Sequence, residues 1–170
     1  PGDGVHPFSG FTMSICNLRP ESRGEVRINS ADPTHPPKII PNYLSTKSDK
    51  KIAINSIKVA RKIADANPLK KYIIDEHLPG LSFESDDDLL EAAKNNSQSI
   101  YHPVGTCKMG NGIDSVVNEK LKVHGVSRLR VVDASIMPEL ISGNTNAPTM
   151  MIAEKAAEMI LNGDNLSLTK

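Results

Sequence analysis

The sequence has no tryptophan, three tyrosines, three phenylalanines and two cysteines in 170 residues. Cys16 and Cys107 are too few for a disulfide scaffold, and they lack the CxxC spacing of a zinc site. Free thiols suit a reducing compartment, so a cytoplasmic location is expected. There is no excess of either charge: Lys plus Arg is 20 and Asp plus Glu is 20. Without a basic stripe to neutralise phosphates, nucleic acid is excluded as a partner. Apolar runs such as Met150–Ala153 fall far short of the ~20 residues of a membrane span, and no charged-then-apolar signal segment opens the chain. Membrane association is therefore not indicated. Glycine-rich phosphate motifs are missing too. Gly2-Asp-Gly4 and Gly110-Asn-Gly112 neither continue as GxGxxG nor follow a strand, and the Walker pattern is absent. No motif here can hold the adenine half of a dinucleotide. His6, His35, His77 and His124 show no paired ligand spacing, so no metal is expected.

A chain of this length can bury roughly 70% of its unfolded surface, enough for a real core. It opens Pro-Gly-Asp-Gly without a methionine, which reads as a cut end, processed or excised from a longer protein. Phe11, Met13 and Ile15 alternate with Thr12, Ser14 and Cys16, predicting a strand with one buried face. Arg19–Gly24 is a turn and Glu25–Asn29 alternates again, so the two predict an antiparallel hairpin with Val26 and Ile28 inward. Pro33, Pro36, Pro37 and Pro41 predict an extended loop over residues 31–41. Residues 48–66 change to helical spacing. There Ile52, Ile57, Ala60, Ile63 and Ala64 form a stripe, and Lys50, Lys51, Lys58 and Arg61 face water. Ser85 and Asp88 form a capping box for a second helix whose buried side is Leu89, Leu90 and Ala93. Its Asp86–Asp88 run suits the positive end of the helix dipole rather than a cation site. Arg128–Asp133 reads as a short strand and Ala134–Ala147 as a loop. A last helix begins near Pro148 and stops near Asn162-Gly163. Sheet and helices together predict an α+β fold.

Chemistry concentrates in two segments. Tyr101-His-Pro-Val-Gly-Thr-Cys-Lys-Met sets His102 in a turn framed by Pro103 and Gly105. Oxidising an alcohol removes a hydroxyl proton and a hydride from one carbon–oxygen unit. The hydroxyl pKa is near that of water, ~16, and free imidazole titrates near ~6.5, so the proton must move as the hydride leaves. A positioned imidazole does this; the blander alternative is a histidine packed in a core turn. In the second segment Asn144 and Asn146 can donate to a developing alkoxide while staying neutral, or they can bond their own backbone in an Asx turn. The helix after them presents unpaired first-turn amides, which suit an anion. It could equally be an amphipathic helix covering a sheet with Met150, Met151, Ile152, Ala156, Met159 and Ile160. A thiol nucleophile at Cys107 is disfavoured, because five residues of separation do not place His102 on the sulfur and no group orients the base. Cys107 reads as a small buried hydrophobe.

The segments occur in one order: Asn17-Leu-Arg-Pro-Glu-Ser-Arg-Gly, Ser30-Ala-Asp-Pro, Pro41-Asn-Tyr-Leu, Tyr101-His-Pro-Val-Gly-Thr-Cys-Lys-Met-Gly, Val123-His-Gly-Val, Leu129-Arg-Val-Val-Asp-Ala-Ser and Gly143-Asn-Thr-Asn-Ala-Pro-Thr-Met-Met-Ile-Ala-Glu-Lys. In that order they resemble the C-terminal region of the glucose–methanol–choline family of flavin oxidoreductases, most of all its choline and alcohol dehydrogenase branch. The resemblance implies FAD and oxidation of an alcohol to a carbonyl by hydride transfer to the flavin. It puts His102 on the catalytic histidine and Asn144 on the second, histidine-or-asparagine position. Asp133 and Ala134 fall near the cofactor's ribityl–phosphate part, Thr145 and Asn146 beside its pyrimidine edge, and Tyr101 and Thr149 also at the cofactor. Residues 1–127 would belong to an antiparallel substrate-domain sheet with flanking helices. Residues 128–170 would form a terminal strand and helix of the FAD-binding domain. The partners implied are a small alcohol and the N-terminal FAD-binding part of the same protein. So few aromatic rings offer no obvious cage for a quaternary ammonium. The rival reading is a non-catalytic structural or interaction module that keeps the fold.

Overall fold

The computed structural model describes residues 6–163. Gly2-Asp-Gly4 and the end of the expected FAD-domain piece, 164–170, lie outside the described residues. The chain divides into two compact units, one from residues up to 17 with 46–97, the other from 18–45 with 98 onward. Among the described residues four α-helices and a two-stranded antiparallel sheet give the α+β fold the sequence predicts. Among the described residues no helix is long and apolar enough to cross a membrane.

The first unit is helical. α1 (Lys47–Ala64) starts where the Thr46 hydroxyl accepts from the Asp49 amide. Its Ile52, Ile57, Ala60 and Ala64 are half-buried, whereas Ile63 is 49% exposed and departs from the predicted stripe. α2 (Asn67–Lys70) is one turn with Pro68 near its start. α3 (Asp86–Asn96) packs against α1 and buries Leu89, Ala92 and Ala93. Both halves of its predicted capping box form, with the Asp88 amide on Ser85 Oγ at 3.1 Å and the Ser85 amide on the Asp88 carboxylate at 3.2 Å. The Ser85 hydroxyl also donates to Asp88, and it does most to hold that carboxyl below its ordinary range.

Arg61 does not face water, as its spacing predicts, but ties the 76–83 loop to α1. Its Nε and Nη2 donate to the Glu76 carboxylate at 2.9 and 2.8 Å, and its remaining donors reach the carbonyls of Phe83 and Gly80 at 2.7 and 3.0 Å. A planar five-donor fork can satisfy all of these at once, and an ammonium cannot. Arg61→Lys is therefore expected to lose on the order of 2 kcal/mol in urea unfolding despite keeping the charge. Unchanged stability would mean the fork holds nothing.

The second unit holds the sheet. β1 (Glu25–Arg27) pairs with β2 (Lys38–Ile40) in the register Glu25↔Ile40, Val26↔Ile39, Arg27↔Lys38. Gly24 makes that approach possible, since a Cβ there would lie 2.1 Å from the Ile40 carbonyl oxygen. Two expectations are corrected. Residues 11–16 form no strand, and the partner of β1 comes instead from the end of the proline-rich stretch. Pro36 and Pro37 keep the chain extended, so it enters β2 straight. Val26 and Ile28 do not point inward either, being 49% and 91% exposed, because a lone two-stranded ribbon has no second layer to cover it.

The expected strand over 128–133 is reduced to an isolated bridge, Lys122↔Arg130, beside further bridges Val117↔Val123 and Met109↔Val117. Arg128 enters it in the left-handed region, and the Asp133 side chain leaves it by capping a 3-10 turn, Ala134–Ile136. Around these bridges lies a core of Val117, Leu121, Ile136, Met137, Ile152 and Ala156. Large side chains of this kind contribute roughly 1.5–3 kcal/mol each when fully buried. α4 (Asn146–Leu161) starts two residues before Pro148, which therefore still sits in the first turn, where its missing N–H breaks no bond. Its Ile152, Ala156 and Met159 are buried at helical spacing, while Met150, Met151 and Ile160 stay exposed.

Candidate active site

His102 sits at the head of a segment bonded along its length to the 3-10 turn. The Cys107 amide donates to the Ser135 carbonyl at 3.0 Å, and the Met109 amide to the Ile136 carbonyl at 2.8 Å. Gly105 makes the bend between, at φ +87, and a Cβ there would stand 3.2 Å from the Met137 carbonyl oxygen. Ahead of the histidine, Tyr101 is 71% exposed and adopts φ +62, a strained geometry for a bulky residue. Its amide donates to Ser99 Oγ at 3.0 Å.

The second segment arrives from a loop held by Arg19. Nε of Arg19 donates to Ser142 Oγ and its Nη1 to the Leu140 carbonyl, each at 2.9 Å. Asn144 follows, exposed, and among the described residues nothing hydrogen-bonds its side-chain amide. Thr145 is 8% exposed and occupies the N-cap position of α4. Its hydroxyl lies 2.7 Å from Nδ1 of His102. The Thr145 carbonyl accepts from both the amide and the hydroxyl of Thr149, at 3.0 and 2.6 Å.

Of the predicted site residues, His102 and Thr145 are thus in direct contact. Tyr101 and the run Asn144–Asn146 accompany them as chain neighbours, and Thr149 is bound back on Thr145. Asp133 and Ala134 lie at the 3-10 turn, where the Asp133 carboxylate accepts from the amide of Ser135 at 2.8 Å and from its hydroxyl. None of these others hydrogen-bonds His102 among the described residues. Cys107 makes no hydrogen bond to His102 among the described residues, and it is half-buried rather than buried as its sequence reading expects. Two features escape sequence reasoning. No spacing rule pairs Arg19 with Leu140 and Ser142, and a threonine ahead of a helix reads as its cap rather than as a partner for an imidazole 43 residues upstream.

α4 has no side-chain cap at its N-terminus. Pro148 has no amide hydrogen to offer, so the Asn146 and Ala147 amides carry the partial positive end of the helix. That end suits an anion. With an imidazole fixed through one ring nitrogen nearby, the arrangement can take up a proton and stabilise negative charge.

The family model described as GMC oxidoreductase matches residues 20–153. An alcohol dehydrogenase (acceptor) of Pseudomonas putida is 50% identical over 152 residues, covering 89% of this chain and 28% of that protein. An oxygen-dependent choline dehydrogenase of Shigella flexneri is 44% identical over 158 residues, covering 93% of this chain and 28% of that protein. Among solved structures, an FAD-dependent oxidoreductase from Chaetomium thermophilum matches with a TM-score of 0.81 at 28% identity, covering 88% of this chain and 26% of that one. The chain spans little more than a quarter of the length of these relatives. On the match over residues 20–153 and the identity to these dehydrogenases, the chain belongs to the GMC oxidoreductase family of FAD-dependent enzymes.

Proposed function

We propose that the whole protein oxidises an alcohol to a carbonyl, with His102 as the proton acceptor and Asn144 orienting the alcohol. The observation that carries this reading is the imidazole of His102, held at Nδ1 by the buried Thr145 hydroxyl at 2.7 Å beside the uncapped start of α4. FAD, when bound, supplies the two-electron acceptor for the carbon–hydrogen bond. The chain's own residues do the rest. His102 takes the hydroxyl proton at Nε2 as the bond to hydrogen breaks, because Nδ1 is already engaged. Asn144 donates its amide hydrogen to the substrate oxygen, on which negative charge develops as the proton leaves.

The residues present fit the cofactor in two respects. The Asn146 and Ala147 amides, with Tyr101, Thr145 and Thr149, would hold the pyrimidine edge of the flavin, where a helix start suits negative charge. The Asp133 carboxylate, an acceptor only, suits ribityl hydroxyls, with Ala134 beside it. The reading also assigns residues 1–127 to the substrate-binding part and 128–170 to the FAD-binding part, with the remainder of the cofactor held by an N-terminal part of the longer protein. That division separates residues by their neighbours in the longer chain rather than by compactness, since both sides of residue 127 lie in the second unit. A small primary alcohol is the substrate class proposed, with choline one candidate. The relatives named as choline and alcohol dehydrogenases support it.

The test is the visible spectrum of the full-length protein under anaerobic conditions, before and after adding primary alcohols including choline. A flavin band that bleaches with one of them is the expected result. A colourless protein that also fails to take up added FAD would favour a non-catalytic module that keeps the fold.

A further inference from the structure

We propose that Thr145 is the positioning residue of the base: its hydroxyl accepts the Nδ1–H of His102 and so leaves Nε2 unprotonated toward the alcohol. The inference rests on His102 being the proton acceptor, and it assigns to the Thr145 side chain a task different from touching the cofactor. The 2.7 Å contact joins residues 43 positions apart, and Thr145 is 8% exposed, so water does not compete freely for the hydroxyl.

Local geometry explains why the hydroxyl is available. A threonine at an N-cap usually lies in the extended region and accepts from the second or third amide of its helix. Thr145 instead has φ −81 and ψ −7 and makes no capping bond. The third helical residue is Pro148, which has no amide hydrogen. The position is also held from both sides. The Thr145 carbonyl is bonded twice by Thr149. Ile152 and Ala156 of α4 share a core with Ile136 and Met137, the turn to which the His102 segment is bonded.

The chemistry sets the direction of the bond. A neutral imidazole carries one N–H, and only the nitrogen without it can accept a proton. If Nδ1 donates to Thr145, the alcohol proton goes to Nε2, and the resulting imidazolium keeps its Nδ1–H on the same oxygen throughout. A hydroxyl donating to Nδ1 would instead put the hydrogen on Nε2 and leave no acceptor facing the substrate.

In the full-length, FAD-loaded protein, Thr145→Val keeps the shape and removes the hydroxyl. The expected result is a loss in kcat on the order of tenfold, the low end of the roughly 10–100-fold loss when the partner that orients a metal-bound histidine is removed. With kcat normalised to bound flavin, KM stays near wild type and Thr145→Ser restores kcat. A Val variant with wild-type kcat, or a Ser variant as slow as the Val variant, would overturn the proposal. A readout independent of turnover is ring-¹⁵N NMR of the resting protein, with the His102 signals assigned by their loss in His102→Ala. Hydrogen on Nδ1 is expected, and hydrogen on Nε2 overturns the proposal even if Thr145→Val does not fold. The double variant separates the two readings. If His102→Ala alone leaves kcat intact, the base assignment itself fails. If His102→Ala is slow and Thr145→Val slows it again by the same factor, only the role of Thr145 fails.

Discussion

Replacing His102 with alanine in the full-length protein is expected to lower kcat/KM by on the order of 10² or more, about 2.7 kcal/mol of transition-state stabilisation. FAD content should not change. A hydroxyl with a pKa of ~16 does not release its proton ahead of the carbon–hydrogen bond at neutral pH, so without a base the electrons must leave a neutral alcohol. The imidazole is well placed for the task, because its backbone segment is bonded to the 3-10 turn and its Nδ1 to Thr145. Alanine removes only the ring. Gly105, the Cys107 and Met109 amide bonds and the 136–137 core remain, so a folding defect is not expected to mimic the loss. Steady-state kinetics normalised to flavin absorbance checks this. Wild-type turnover at full flavin occupancy would return His102 to a histidine packed in a turn.

The elements legible in the sequence were those whose signals are local. The Ser85–Asp88 capping box, the start of α4 around Pro148 and its stop near Gly163, and most of the α1 stripe all follow from spacing within one or two turns. Strand pairing is not local. The alternation over residues 11–16 describes a strip with two faces, but alternation does not name a neighbour, and the strand that pairs with β1 is Lys38–Ile40. That partner was hidden by the prolines before it, which read as loop. Arg128–Asp133 has the β-branched composition of a strand, yet a left-handed residue at its entry and a capping aspartate at its exit leave room for one bridge.

The site divides in the same way. His102, with Pro103 and Gly105 around it, is conspicuous because the residue types themselves bear chemistry and turn geometry. The contact that fixes its ring comes from a residue type whose local meaning is different. Thr145 stands where a helix cap belongs, and only the loss of a donor at Pro148 and the return of the chain past residue 102 turn its hydroxyl to another use. Arg19 is likewise an ordinary turn residue by sequence, and it becomes part of the site's support through a loop more than a hundred residues away.

Asn144→Ala is expected to slow reduction of the flavin by the alcohol by about 10², the scale for removing one donor from a developing oxyanion, and to weaken FAD binding far less. The two effects should separate because different atoms are responsible. Contacts assigned to the cofactor lie in the Asn146 and Ala147 amides, at Tyr101, Thr145 and Thr149 and at Asp133–Ala134, and alanine at 144 replaces none of these residues. The amide of Asn144 is exposed and unbonded among the described residues, so it is not closing an Asx turn on its own backbone, the bland role available to it. Its place is nonetheless defined, by Arg19 holding Leu140 and Ser142 before it and by buried Thr145 after it. In the proposed role an amide serves because it donates without carrying charge. Asn144→Asp offers only acceptors at neutral pH and should be slower than the alanine variant, since a carboxylate repels a substrate oxygen gaining negative charge. Stopped-flow reduction traces for the two variants, read beside their FAD dissociation constants, provide the check. Intact reduction rates in both would remove Asn144 from the mechanism, whereas a carboxylate slower than alanine would show that the position faces developing negative charge.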